Sequence, residues 1–376
     1  MTPRTPHILL ISILITAIAA VTFGQNPVAT PPPLIIEDDE VINIDSRLVI
    51  VPVSVTDGNG RPVKGLGVEH FSIFENKRAQ SIVEVSDAEK VPLEIALLFD
   101  ISGSTDPMFK FEQETAAKFL QDVMRPEDRA TIFTIGETPI MLQPRNVAYR
   151  SIETIRGLQP TKQYTAFYDT VMAAAIYLRE NASPKSRKVV IAITDGEDTN
   201  SEGIKRGFSA VYASIGERIN SITTKEYRDL LVQKRNEIRI REQNKTLKRL
   251  QDADTVFYSV NPAGSSYKLN KISLFGQSNM QRFADETGGT AFLPKFLPID
   301  LKSNYENSSN LSQNTETLSR IFSALKNELQ AQYLVQYYSN NEFPPNKYVD
   351  VETSVNLNLP QGLNIRSRKG YFVKQQ

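Results

Sequence analysis

The chain is 376 residues long, room for about two domains, and its 40% hydrophobic and 23% charged residues are an ordinary globular composition. Lysine plus arginine matches aspartate plus glutamate at 43 each, so no net field draws the protein to nucleic acid or to an anionic membrane surface. The absence of cysteine excludes disulfides, thiol nucleophiles, iron–sulfur ligation and a cysteine-linked lipid anchor, and His7 and His70 alone are too few for a zinc site.

The opening "MTPRTPHILLISILITAIAAVTFGQ" places Arg4 before an apolar stretch from Ile8 to Phe23 and then small residues, the pattern of a secretory signal peptide over 1–24. Cleavage would follow Ala19 or Gly24; the alternative is an uncleaved anchor, because the apolar stretch approaches spanning length. Residues 25–40 are proline-rich and read as an extended linker. The expected location is therefore outside the cytoplasm, secreted or in the periplasm or cell envelope.

Residues 41–90 alternate apolar and polar positions between turns containing Gly, Asn and Pro, the mark of a half-buried antiparallel sheet. Asp57 and Asn59 could suggest a calcium loop, but Arg61 stands where an EF-hand needs an oxygen ligand, which favours a turn. Similar strands return in "QYLVQYYS", "VDVETSVNL" and "LNIRSRKGYFV" within 332–373. Neither set buries enough area alone, so the two parts, 41–90 and 334–376, are expected to combine into one β-sandwich.

Between them, over 91–333, apolar strand candidates at 94–99, 130–135, 188–194, 254–260 and 290–294 alternate with helical stretches, notably 108–124, 166–181 and 315–333. This predicts an α/β domain with a doubly wound, mainly parallel sheet inserted into the sandwich. "PIMLQ" at 139–143 follows its predecessor after a three-residue turn and must be an antiparallel edge strand.

Ligand sites in such sheets lie beyond the carboxyl ends of the strands. There, "LLFDISGST" offers Asp100, Ser102 and Ser104; "TKQYT" ends in Thr165 before a helix; and "VVIAITDGED" opens at Asp195. Singly, each reads as an ordinary turn or helix cap. Together they are two carboxylates and three hydroxyls, a hard oxygen set that suits Mg2+, with Mn2+ or Ca2+ as alternatives. Asp106 and Pro107 look like the N-cap and first residue of a helix, leaving both serines free.

The DxSxS sequence after a buried strand, the threonine of "TAFYD" and the TDG after a later buried strand resemble the metal-ion-dependent adhesion site of the von Willebrand factor type A domain, over roughly Val91 to Tyr333. The leader, "VTDGNGRPVKGLGVEHFSIFEN" and "RSRKGYF" also resemble a bacterial secreted group bearing that domain. The resemblance implies a doubly wound sheet with one antiparallel edge, Asp100, Ser102, Ser104, Thr165 and Asp195 as metal residues, and a shift of the last helix when a ligand completes the metal's coordination.

A cation so held stays electron-poor and takes an acidic oxygen from outside. The expectation is an exported, non-enzymatic module binding an acidic residue of a protein partner, with no nucleic-acid partner and no membrane span in the mature chain unless the leader is retained. A Mg2+-dependent phosphohydrolase is the enzymatic rival; it would want an acid where Ser102 stands. A third reading is a structural module whose metal only stabilises the fold. Residues 203–252 interrupt the domain with a long helical stretch carrying twelve basic and six acidic residues, and Phe208, Val211, Ile215 and Ile222 at near-heptad spacing. They read either as a solvated helical hairpin or as a partner-binding arm near the metal rim.

Overall fold

The computed structural model describes residues 47–87, 90–102, 107–161, 164–216, 223–261, 271–298 and 302–373. The leader and proline-rich segment expected at 1–40, together with Ser104, Asp106 and Ile222, lie outside the described residues. Among the described residues no helix is long and apolar enough to cross a membrane.

In chain order, β1 (Arg47–Asp57) leads through a single 3-10 turn to β2 (Phe71–Glu75), β3 (Arg78–Gln80), β4 (Ile82–Asp87) and β5 (Leu93–Asp100). Then come α1 (Pro107–Val123), β6 (Arg129–Ile135), β7 (Ile140–Asn146), α2 (Ala148–Arg156), α3 (Phe167–Asn181) and β8 (Arg187–Ile193). The chain continues through α4 (Glu202–Gly216), α5 (Thr224–Asp252), β9 (Thr255–Val260), α6 (Lys271–Thr287) and β10 (Ala291–Phe292). It closes with α7 (Asn304–Gln330), β11 (Gln332–Ser339), β12 (Tyr348–Val355), β13 (Leu363–Ser367) and β14 (Gly370–Phe372).

The central sheet has the order β10-β9-β8-β5-β6-β7, parallel except for β7, which runs antiparallel to β6 at the edge. Its strands are apolar on both sides because both faces are covered. Leu93, Ile95, Leu97 and Phe99 of β5 face α1, α2 and α7, where Phe119, Ile155, Leu318, Phe322 and Leu325 are buried. Ala96 and Leu98 face the opposite layer of α3, α5 and α6, with Phe167, Val171, Leu250 and Phe283. This is the expected doubly wound sheet.

The remaining strands form two four-stranded sheets, β13-β1-β11-β4 and β14-β12-β2-β3. Val49, Val51, Val53 and Val55 of β1 point one way at every second position, and they pack with Phe71, Ile73, Tyr337, Val349 and Tyr371 in a common core. The sandwich draws strands from both ends of the described chain. Inside it, Glu75 is fully buried, and its carboxylate accepts from the hydroxyls of Tyr337 (3.0 Å), Tyr371 (2.6 Å) and Ser339 (2.8 Å) and the Asn341 amide (2.6 Å). At the first hairpin, Asp57 Oδ1 accepts from the backbone N–H groups of Asn59 (2.8 Å) and Arg61 (2.9 Å), so this carboxylate closes a turn.

"RSRKGYF" divides between the two sheets. Arg368, at the break between β13 and β14, is buried and donates to Gly370 O, Ile50 O (3.1 Å) and Asp254 Oδ1 (2.9 Å), joining the sandwich to the turn between α5 and β9. The backbone bonds Lys369 N–Glu286 O (3.2 Å) and Val55 N–Ala331 O (3.1 Å) make further junctions.

Three elements differ from the sequence reading. The nine-residue α2 and all of α6 emerge as helices between the expected strands, and α7 starts at Asn304, well before 315. The first turns of α7, "NYENSSNLSQN", have the composition of a loop, since Ser and Asn prefer caps and turns. They are helical because Ser303 Oγ accepts from Glu306 N at 3.2 Å and the buried Asn314 amide bonds both the N–H and the C=O of Leu297. The long helical stretch after β8 is the α4–α5 pair. The second half of α5 is sheet cover, with Ile238, Thr246, Leu247 and Leu250 buried, whereas its first half is largely exposed.

Removing the whole of 203–252 would strip that layer from the sheet, so the deletion variant is expected to aggregate. Leu250→Ala alone should lower unfolding free energy by about 3 kcal/mol in urea titration. A cost below about 1 kcal/mol would mean that α5 lies outside the cooperative core.

Candidate metal centre

β5 and β8 are adjacent and parallel, with Phe99 opposite Ile193, so their carboxyl ends bring Asp100 and the Thr194–Ser201 loop together. Asp100 Oδ1 accepts from the Ser102 hydroxyl (2.6 Å) and its backbone N–H (2.9 Å), which folds the chain back immediately after the strand. Asp100 Oδ2 accepts from the Thr194 hydroxyl at 2.7 Å, and Thr194 Oγ1 in turn accepts from Gly196 N at 3.1 Å. One carboxylate thereby ties two strand ends to each other.

Asp195 follows directly, and its Oδ1 accepts from Glu197 N at 2.9 Å. The turn requires glycine: Gly196 has φ +75°, and it lies against Gly276 of α6, where an added Cβ would come within 2.8 Å of Asp195 O and Glu197 N. Glu197 turns aside to accept from the Ser273 hydroxyl of α6.

Thr165 is fastened to the same loop from the other side. Its carbonyl accepts from the N–H groups of Thr199 (3.0 Å) and Asn200 (2.8 Å), and its hydroxyl lies 3.4 Å from that of Thr199. The ordinary capping role is taken by other residues: Asp198 Oδ2 accepts from Tyr168 N at 2.8 Å and Ser201 Oγ from Asp169 N at 3.1 Å, so the start of α3 is capped from the β8 loop. The Thr165 hydroxyl is left without a capping partner. Of the five residues expected as metal ligands, Asp100, Ser102 and Asp195 cluster at the two strand ends, Thr165 is hydrogen-bonded to the loop that carries Asp195, and Ser104 lies outside the described residues.

The charge at this crevice is negative and only half exposed to water. Burial raises the Asp100 pKa, against the bonds from Ser102 and Thr194, and the Glu197 charge adds to the rise. Burial pushes Asp195 up to about 7, with the Asp100 charge as the next cause. Among the described residues no cation is a leading influence on either one. Among the described residues no three His, Cys, Asp or Glu side chains converge on a common point, so any cation held here would depend on two carboxylates and the hydroxyls around them. That donor set, all hard oxygens with a deficit of positive charge, fits a small divalent cation.

Several residues of this site carry no signal that the sequence reading used. Thr194 merely ends an apolar run, and Asp198 and Gly276 stand in no motif; each has its role through a partner distant in sequence. Asp198 is itself pushed up to about 6 by burial, against the bonds from Ser201 and Tyr168 N.

No protein-family model matches the chain, and no curated protein matches it. Solved structures similar to it include an aerotolerance-related membrane protein of Bacteroides fragilis, at 13% identity and TM-score 0.33 over 60% of this chain and 99% of that one. Another is the von Willebrand factor domain of the type V pili tip protein of Porphyromonas gingivalis, at 12% identity and TM-score 0.39 over 62% and 95%. A third is a proximal thread matrix protein of the mussel byssus with a zinc-occupied adhesion-site motif, at 13% identity and TM-score 0.40 over 69% of this chain and 50% of that one.

Two measurements probe this geometry. Gly276→Ala should leave the fold intact but displace the Asp195 turn, weakening Mg2+ binding about tenfold by calorimetric titration; unchanged affinity would separate α6 from the site. Because the Asp198 carboxyl keeps its proton to about pH 6 when folded and to about 3.8 when unfolded, folding takes up a proton between those values. Its contribution to stability is therefore present below pH 4 and lost as pH rises to 6. Wild type should lose about 2 kcal/mol relative to Asp198→Asn across that window, and parallel pH profiles would show that Asp198 does not titrate there.

Proposed function

We propose that the protein is an exported, non-enzymatic binding module in which a divalent cation, held by Asp100, Ser102, Ser104, Thr165 and Asp195, takes an acidic side chain of a protein partner. The observation that supports this most directly is the pair of half-buried carboxylates, Asp100 and Asp195, at adjoining strand ends with hydroxyl neighbours and, among the described residues, no paired cation.

A bound cation supplies an electron-poor centre that accepts an oxygen ligand from outside. The rest is done by the chain. Ser102 and Thr194 hold both oxygens of Asp100 in place, the Gly196 turn orients Asp195, and the Thr199 contact keeps Thr165 at the rim. With these groups fixed before binding, little ordering remains to oppose association. Hydroxyl donors are neutral, so the two carboxylates are the only negative charges among the proposed ligands and the cation keeps its pull on an outside carboxylate. Mg2+ suits this set best.

Catalysis finds little support. A phosphohydrolase would need a nucleophile with a positioned acid or base, and the position two residues after Asp100 carries the Ser102 hydroxyl, which donates to Asp100. The signal-like leader supports export, and the domain division of 1–24, 25–40, 41–90, 91–333 and 334–376 is retained within this proposal.

Asp100→Ala is expected to abolish Mg2+ binding in calorimetric titration while circular dichroism stays native, since the residue sits at the sheet edge. Binding that survives the substitution would put the metal elsewhere. Loss of dichroism together with binding would instead favour a purely structural metal. Purified protein should also show no Mg2+-dependent turnover of phosphate esters; a rate abolished by Asp100→Asn would overturn the non-enzymatic reading.

A further inference from the structure

The α4–α5 pair carries a feature that the metal centre does not use. Arg235 and Arg239 stand one turn apart on α5, and both are half-buried. The Arg235 guanidinium lies over the rings of Phe208 (5.0 Å) and Tyr212 (5.5 Å) of α4, and Arg239 over Phe208 (5.6 Å) and Phe275 of α6 (5.7 Å). Two like charges at this spacing repel, and the repulsion grows as they are withdrawn from water. An arrangement of this kind calls for a neighbouring anion.

Among the described residues no carboxylate pairs directly with either guanidinium; Asp198 and Glu197 act on Arg239 only as charges at a distance. The acids nearest in sequence on α5 are engaged: Glu237 with Lys234, and Glu242 with Arg241 and Lys245. Among the described residues neither Arg235 nor Arg239 forms an ion pair and the buried Arg235 Nε has no hydrogen-bond partner, while Arg235 Nη2 donates to the Tyr212 hydroxyl. A guanidinium stacked on aromatic faces keeps its edge free for a carboxylate, in a plane already fixed.

The position of the pair ties it to the site. Phe275, beneath Arg239, directly precedes Gly276, whose backbone abuts Asp195 and Glu197. Burial and the Arg235 charge hold Arg239 below the usual arginine range, while the charges of Asp198 and Glu197 act in the opposite direction across the same space. The hairpin is also fixed at this point: Ile238, between the two arginines, packs so closely on Gly207 of α4 that an added Cβ would lie 2.7 Å from it.

We propose that Arg235 and Arg239 form a second anion subsite beside the metal centre, binding a second carboxylate of the same acidic protein segment whose first carboxylate completes the cation. This rests on the metal-dependent reading above and narrows the partner to a segment with at least two acids. A segment with one acid gains only the metal contact; one with two also satisfies the orphaned guanidinium edge.

The test uses the full chain, saturating Mg2+ and two fluorescent peptides, hexa-aspartate and a glycine–serine peptide with a single aspartate, read by anisotropy. Hexa-aspartate is expected to bind wild type more tightly than the single-acid peptide. Arg235→Gln with Arg239→Gln should weaken hexa-aspartate about tenfold or more, leaving single-acid and Mg2+ affinities unchanged. Arg235→Lys with Arg239→Lys should lie between, because charge is kept and the planar edge is lost; if the glutamine pair does not fold, this pair decides. Equal hexa-aspartate affinity in wild type and the folded arginine variants overturns the subsite and leaves the metal reading standing, provided binding still needs Mg2+ and Asp100. Hexa-aspartate binding that ignores chelator and Asp100→Asn overturns the linked pair of sites and counts against the metal reading itself. No hexa-aspartate binding to wild type also overturns the subsite.

Discussion

Two carboxylates partly withdrawn from water at the ends of neighbouring strands are the constraint around which the rest of the crevice is arranged. Burying an ionised acid without a counter-charge is expensive, and Asp100 and Asp195 stand close enough for their charges to add to that expense. Their surroundings meet it only in part. Ser102 and Thr194 give Asp100 a hydrogen bond on each oxygen, and the Glu197 amide gives Asp195 one. Even the supporting glycines follow from this, since Asp195 reaches its place only through a left-handed turn at Gly196 packed against the backbone of α6. Charge left unbalanced at one spot is a local departure from the consistency shown by the packed layers around it.

The sequence reading reached the central sheet because its strands announce themselves: five apolar runs, each bounded by turn residues, and the short return into "PIMLQ" could be ordered by connection rules alone. The sandwich was legible for a related reason, since strands that cannot bury one face must borrow a partner sheet. What escaped was decided by tertiary contact. α6 contains Gly276, Ser278 and Asn279, weak helix formers, and is helical because Met280, Phe283 and Ala284 pack on the sheet. The beginning of α7 depends on the bond from Asn314 to Leu297, which no local pattern announces.

For the site, the aspartates and hydroxyls could be picked out because three loops at one sheet edge carried the same kind of donor. Their supports could not. Thr194 and Asp198 act on Asp100 and on the head of α3, partners about 94 and 30 residues away, and such pairs are visible only once the strands lie side by side. The arginines of α5 were legible as excess charge but not as a pair, because their meaning comes from rings on two other helices.

The sandwich is assembled from strands at opposite ends of the described chain: Arg47 stands opposite Ser339, and Val53 opposite Ser367. During synthesis from the N-terminus, β1 emerges with its row of valines almost three hundred residues before either of its sheet neighbours exists. The central α/β layers close on nearer contacts and can be complete while β1 still lacks both of its sheet neighbours. The chain thus passes through a stage with a finished middle and an unpaired, apolar first strand, the kind of exposed edge that joins other chains. A protein of this layout has reason to rely on a holding chaperone until β11 and β13 are released.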